Sequence, residues 1–277
     1  VHDDEPAFSW TEAHKDLMAG IDASVPHSAR IWNYWLGGKD HYPVDQEAGD
    51  AYVRVFPGIL DIARGQRYFL ARAVRYLAGE AGIDQFLDIG TGLPTVDNTH
   101  EVAQRVNPAC RIVYVDNDPL VLVHARALLG GTSQGVTQYI DADARDPEAV
   151  LRQAAETLDL TRPVGLMMLG ILGHVTDDEE ARSIVRRLLE SLPSGSHLVL
   201  ADGTDTDPAF VEAQRYYNDG GAAPYELRSP ERIARFFDGL EMVEPGVVTL
   251  PHWRPDMPPL DDGNAHVAEV CGVGRKP

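Results

Sequence analysis

The chain has 277 residues, 44% of them hydrophobic and 24% charged, with a formal net charge of -19. That length holds one large domain or one domain with an added lobe, and no apolar run approaches the roughly 18–20 residues that span a bilayer. The acidity repels phosphate backbones and anionic lipid, so neither nucleic acid nor a membrane is an expected partner.

The opening VHDDEPAFSW lacks the basic and apolar regions of a signal peptide, which makes a cytoplasmic location the expectation. Cys110 and Cys271 stand without histidines at metal-ligand spacing, which predicts two reduced, packed thiols and no metal site.

Residues 11–82 read as a helical extension. In ARIWNYWLGGKDHYPVDQEAGD (29–50), a helix over 28–37 sets Arg30, Asn33 and Gly37 on one face and Ile31, Tyr34 and Trp35 on another. Two readings stay open: a lid over a ligand crevice, or an amphipathic plug at a sheet edge with its aromatics as core. GILDIARGQRYFLARAVRYLAG (58–79) carries Ile59, Ile62, Ala63, Phe69, Leu70, Ala73, Val74 and Leu77 on one helical stripe that should pack on a sheet.

From residue 85 short apolar runs alternate with helical stretches, the signature of a βαβ sheet. QFLDIG (85–90) is a strand, followed by a helix over 98–106 that Asn107-Pro108 stops. RIVYVD (111–116) leads into the helix LVLVHARALLG (120–130), and TQYIDAD (137–143) into a helix over 147–158. PVGLMMLG (163–170) is apolar throughout, as for a central strand covered on both faces. TDDEEARSIVRRLLESL (176–192) is a helix with Thr176 as its N-cap and acids in its first turn, where the helix dipole favours them. HLVLAD (197–202) is a fifth strand, followed by a helix over 209–217, a short helix ERIARFF (231–237) and a weak strand over 242–249. PDMPPLDDGN (255–264) reads as a surface loop before the final strand HVAEVCGVGRK (266–276).

The turn in FLDIGTGLPTVDNTHE (86–101) places Gly90 and Gly92 between a strand and a helix, where glycine lets backbone approach a ligand. Asp116 closes the second strand, where an acid can accept the hydroxyls of a ribose, and Asp143 closes the third in the same manner, within reach of an exocyclic amine. Ligands of open α/β sheets sit at the carboxyl ends of the strands, so these features should share one crevice. Asp118 and Asp146, each ahead of a proline, read as helix N-caps instead.

LDIGTG, VDNDP and DADARDP, in that order, resemble motifs one, two and three of class I S-adenosylmethionine-dependent methyltransferases. SARIWNYWLGGKDHYPVD, with FLDIGTGLPTVDNTHEVAQ and VYVDNDPLVLVHARALL, more narrowly resembles an actinobacterial family of predicted methyltransferases that shares this N-terminal block. The resemblance implies an α/β, Rossmann-like fold with a mostly parallel seven-stranded sheet and an antiparallel last strand. Residues 1–82 would be an extension and lid ahead of a core over 83–277. It also implies S-adenosyl-L-methionine as cofactor. Asp88, Gly90 and Gly92 would hold its methionine end, Asp116 the ribose, and Asn117, Asp143 and the Ala144 amide the adenine. In the lid reading Arg30 or Asn33 meets the cofactor's carboxylate and Tyr34 lies near the sulfonium and substrate. Pro94 stands where many members have a third glycine, which removes an N–H from that loop.

Methyl transfer from a sulfonium is an in-line displacement, and a hydroxyl or ammonium acceptor also needs a base. His174, just past the fourth strand, is a candidate base and substrate contact, with capping or packing as its structural alternative. Asp202, ending the fifth strand, is a second candidate, although Asp202-Gly203 also fits a turn. The expected activity is methyl transfer to a small molecule. An S-adenosylmethionine-binding regulator without transfer activity and an NAD-dependent oxidoreductase are the alternatives.

Overall fold

The computed structural model describes residues 21–127, 134–257 and 267–277. The predicted extension folds as three helices, α1 (Ser28–Trp35), α2 (Pro43–Val55) and α3 (Ile59–Gly79). Residues 11–20 and 128–130 of the predicted helices, the predicted loop from 258 onward and residue 266 of the predicted last strand lie outside the described residues.

Five parallel strands follow: β1 (Gln85–Ile89), β2 (Arg111–Asp116), β3 (Val136–Asp141), β4 (Gly165–Leu169) and β5 (His197–Gly203). They lie in the order β3-β2-β1-β4-β5, so the direction of strand addition reverses between β1 and β4. At such a switch point two strand ends diverge and leave a crevice. Helices α4 (Thr99–Val106), α5 (Pro119–Ala127), α6 (Pro147–Ala154) and α7 (Asp178–Glu190) connect these strands, and α8 (Pro208–Asp219) and α9 (Pro230–Ala234) follow β5.

Among the described residues the expected seven strands become eight. The region predicted as one weak strand splits into β6 (Glu241–Met242) and β7 (Val248–Thr249), both antiparallel to β8 (Glu269–Arg275). Pro245 between them has no N–H to give a ladder. β8 runs antiparallel to β5 over seven residues, pairing Asp202 with Val270 and Gly203 with Glu269.

Both faces of the sheet are covered, which explains why β1 and β5 are buried at every position instead of alternating. On one face Leu87, Val113, Leu166 and Leu198 pack with Ile184 and Leu188 of α7. On the other, Phe86, Ile112 and Met167 meet Phe69, Ala73 and Leu77 of α3, the stripe predicted from periodicity. Each fully buried side chain of this size contributes roughly 1.5–3 kcal/mol. A third cluster joins Ile31 and Trp35 of α1 to Tyr52 of α2, Ile59 and Ile62 of α3 and Phe210 of α8.

Two boundaries differ from the sequence reading. The N-cap of α7 is Asp177, whose carboxylate accepts the Glu180 N–H at 2.8 Å, one residue later than Thr176. Helix α6 ends at Ala154, before residue 158, and the Thr157 carbonyl accepts from Arg111 Nε at 2.7 Å rather than from a further helical turn. Among the described residues no helix is long and apolar enough to cross a membrane.

Candidate active site

The carboxyl ends of β1, β2 and β4 open onto a cleft lined by Asp88, Gly90, Gly92, Asp116, Asn117, Asp143, Ala144 and His174. Strand-end position draws the glycine turn, Asp116 and Asp143 to one crevice, the family resemblance adds Asp88, Asn117, Ala144 and His174, and the fold brings all of them to this cleft. Gly90 has φ 73, and a Cβ there would sit 2.5 Å from Ile171 Cδ1. Gly92 has φ 63 with open space around it, so its constraint is conformational and its bare backbone faces the cleft.

Asp116 organises the two loops on either side of it. Its Oδ2 accepts the Gly92 N–H and its Oδ1 the Asp118 N–H, each at 2.9 Å. Burial raises its pKa, opposed by those two donors. Asp88 is buried, takes the Thr99 hydroxyl at 2.6 Å, and is pushed by burial up to about 6 against the pull of Thr99 and Arg67. Asp143 turns its Oδ1 to the Arg145 N–H at 2.8 Å, and Asn117 is exposed at the rim. Pro94 lies outside the cleft and lines a small adjoining hollow with Asn98, Thr99 and Tyr139.

Helix α3 adds Gln66 and Arg67 to the wall, neither of which the motif reading found. Arg67 Nη2 donates to the carbonyls of Val96 and Asp97 at 3.1 and 2.8 Å, while its buried Nε has no hydrogen-bond partner. Burial lowers its pKa, and Asp88 and other acids oppose that shift. Asp97 is held at φ 61, an unusual conformation for a non-glycine residue, with its carbonyl on Arg67. The sequence signal was a polar pair inside an otherwise apolar helical stripe.

The N-terminal segment supplies the facing wall through His27, Ser28, Trp32 and Asn33. His27 Nδ1 lies 3.0 Å from Asp118 Oδ2 and accepts the Ala29 N–H at 3.4 Å, capping α1. Asp118 is also the cap its position predicted: Oδ1 accepts the Leu120 N–H at 2.8 Å. Burial works against charge on Asp118, but His27 and the Leu120 N–H hold it below the usual carboxylate range. Asn33 lines the cleft while its Oδ1 accepts the Asp40 N–H at 3.1 Å.

Two residues of this segment, expected at the ligand, face elsewhere. Arg30 is 3% exposed, does not line the cleft, and sets its Nε 3.0 Å from the fully buried Asp45 Oδ2. Asp45 needs that cation, since it also gathers the backbone N–H groups of His27 and Tyr42 at the start of α2. Tyr34 donates its hydroxyl to Asp50 at 2.6 Å and packs on His41, away from the cleft.

A second, smaller chamber adjoins the cleft, and the two share Ser28, Trp32, Gln66, Gly170 and His174. Its other walls include Trp35, Tyr52, Phe210, Tyr217 and Tyr225. Glu269 of β8, 2% exposed, also lines it and accepts from Gln66 Nε2 at 2.9 Å. Burial pushes the Glu269 carboxyl up to about 8. His174 Nδ1 is 3.0 Å from the Pro224 carbonyl, and a carbonyl only accepts, so Nδ1 carries the proton and Nε2 is left as the basic nitrogen. Burial lowers its pKa, which keeps the ring neutral and able to accept a proton.

Asp202, the other candidate base, lines neither cavity. Its carboxylate takes the Tyr225 hydroxyl and lies 3.9 Å from Arg228 Nη1, 1% exposed beneath the chamber. The strand that carries it is paired on both sides, so its side chain is enclosed by neighbours before it can reach a ligand.

The sequence profile of the S-adenosyl methyltransferase family matches residues 14–277. A crystal structure of a DUF574 family protein from Streptomyces avermitilis is 46% identical, covers 92% of this chain and 99% of its own, and superposes with a TM-score of 0.87. That of a candidate methyltransferase from Thermobifida fusca is 42% identical, covers 93% and 97%, and also gives 0.87. No curated protein matches the chain. The chain thus belongs to the S-adenosyl methyltransferase family, with the Rossmann-like class I fold and S-adenosylmethionine as its cofactor.

Proposed function

We propose that this enzyme transfers a methyl group in line to a small-molecule acceptor, with the cofactor in the cleft and the acceptor in the aromatic chamber. The observation that carries this reading is the wall common to both spaces, formed by Ser28, Trp32, Gln66, Gly170 and His174. Such a junction lets two ligands meet while water is kept out.

The residues present suit the cofactor. Arg67, with its buried unpartnered Nε, is placed to meet a carboxylate beside Asp88 and the bare backbone of Gly90 and Gly92. These would hold the methionine end, as the sequence reading had it for Asp88, Gly90 and Gly92, with Arg67 in place of Arg30 or Asn33 at the carboxylate. Asp116 keeps lone pairs for ribose hydroxyls after accepting its two N–H groups, and Asn117, Asp143 and Ala144 would frame the adenine. When bound, S-adenosylmethionine supplies an electrophilic methyl group on a sulfonium. His174 Nε2 is the group on the shared wall able to take a proton from the acceptor.

Residues 1–82 act in this reading as the lid and 83–277 as the core, a division supported by the His27–Asp118 contact across the cleft mouth. Titration calorimetry with S-adenosylhomocysteine tests the assignment. The wild type should bind it, and Asp116→Ala should lose about 1–3 kcal/mol, the range for a charged hydrogen-bond partner. Unchanged affinity in the variant would remove Asp116 from the site, and binding of NAD in place of S-adenosylhomocysteine would overturn the reading.

A further inference from the structure

The aromatic chamber has a chemical character that identifies what it accepts. Trp32, Trp35, Tyr52, Tyr217 and Tyr225 line it, together with the carboxyl of Glu269, and no lysine or arginine does. A carboxyl on a strand paired on both sides is costly to desolvate, and a single amide donor, Gln66, offsets only part of that. The charged groups nearby do not neutralise it. Asp202 of β5 adds a second buried acid, and Arg228 is committed to Asp178 at 2.8 Å and to the Leu172 carbonyl at 2.9 Å. A cavity with aromatic walls, one acid, a neutral histidine and no lysine or arginine among the described residues disfavours anions and attracts ammonium ions, by ion pairing once the acid gives up its proton and by the rings' negative faces.

Resting on the methyltransferase reading above, we infer that the methyl acceptor is an amine of aromatic or apolar character, and that Glu269 binds its ammonium group and takes its proton. An ammonium ion has no lone pair, so it must first lose a proton. Transfer of that proton from nitrogen to the Glu269 carboxylate leaves a neutral amine and a neutral acid, each more stable than an ion in an apolar chamber. The amine's lone pair then takes the methyl group, the former carbon–sulfur bonding pair stays on sulfur, and the N-methylammonium formed carries the charge the sulfonium lost. A hydroxyl acceptor would use His174 and leave the buried acid without a purpose.

Burial holds Glu269 protonated at neutral pH, so capture of an ammonium ion should expel its proton. The test uses protein saturated with S-adenosylhomocysteine and three probes of similar size: 2-phenylethylamine, 2-phenylethanol and 3-phenylpropionate. Calorimetry at pH 7 in buffers of different ionisation enthalpy should show the amine binding about tenfold or more tightly than the alcohol, with release of about one proton, and the carboxylate weakest. Glu269→Gln keeps the shape and the Gln66 contact, and should abolish both the preference and the proton release.

The inference is overturned if the alcohol binds as tightly as the amine, if the amine does not bind, or if Glu269→Gln retains both signatures. The wild-type comparison of probes decides the matter even if that variant does not fold. Failure of S-adenosylhomocysteine to bind beforehand would bring down the methyltransferase reading and this inference with it. Normal cofactor binding without amine preference would bring down the inference alone.

Discussion

Gln66 donates to Glu269 Oε1 at 2.9 Å and so ties the middle of α3 to the last strand of the sheet across 203 residues of sequence. Glu269 is raised by burial from 4.5 to about 8, and Asp202 from 3.8 to about 6. Both acids bind protons more tightly folded than unfolded. Their contribution to stability is therefore fully present below the unfolded values and is lost as pH rises through the folded ones. Denaturant unfolding should show stability falling between pH 5 and 8, by roughly one kcal/mol per pH unit for each group within its window. Glu269→Gln should flatten the curve between pH 6 and 8, and an undiminished slope there would assign the effect elsewhere.

We assign Arg67 to the methionine carboxylate because it is a cation that lines the cleft together with Asp88, Gly90 and Gly92. Arg67→Met should weaken S-adenosylhomocysteine by about 1–3 kcal/mol and leave 5'-methylthioadenosine, which lacks that carboxylate, nearly unchanged. Equal losses for both compounds would mean that Arg67 only shapes the loop through Val96 and Asp97.

Arg30 is expected to behave in the opposite way. Removing it strands Asp45 as a buried unpaired charge, so Arg30→Ala should cost about 3–5 kcal/mol of stability. Cofactor affinity measured well below the melting temperature should change by less than threefold. A selective loss of affinity with normal melting would return Arg30 to the ligand.

His27 and Asp118 join the N-terminal segment to the cap of α5. The pair is part exposed, 39% on the histidine side, so its worth to global stability is under about 1 kcal/mol. Its effect should be local. His27→Ala should raise amide hydrogen exchange in α1 while β1 and β4 stay protected. Equal exchange in α1 would show that aromatic packing alone holds the segment in place.

The features visible in the sequence are those set by neighbours along the chain. β1, β2, β4 and β5 appear as short apolar runs because both faces of the sheet are covered there. The Gly90 and Gly92 turn, Asp116 and Asp143 follow from their positions at strand ends. The split of β6 from β7 was not legible, since pairing with β8 decides where each begins.

The chamber was hidden for the same reason. Tyr52, Phe210 and Glu269 come from three separate elements and Tyr225 from the loop after α8, and they share a space only once α2 and α8 pack together. Gln66, Arg67 and Glu269 did leave a trace, as polar residues within apolar patterns, and such local conflicts are where functional groups belong. Helical periodicity correctly put Arg30 and Asn33 near one another but had no means of showing that Asp45, 15 residues on, would claim the arginine.

A crystal structure with S-adenosylhomocysteine tests the central claim most directly. The account predicts the ribose hydroxyls on Asp116, the amino-acid carboxylate on Arg67, and the sulfur at the wall formed by Gln66, Gly170 and His174, facing the aromatic chamber. A sulfur atom directed away from that wall, or a ribose out of hydrogen-bonding reach of Asp116, would contradict it.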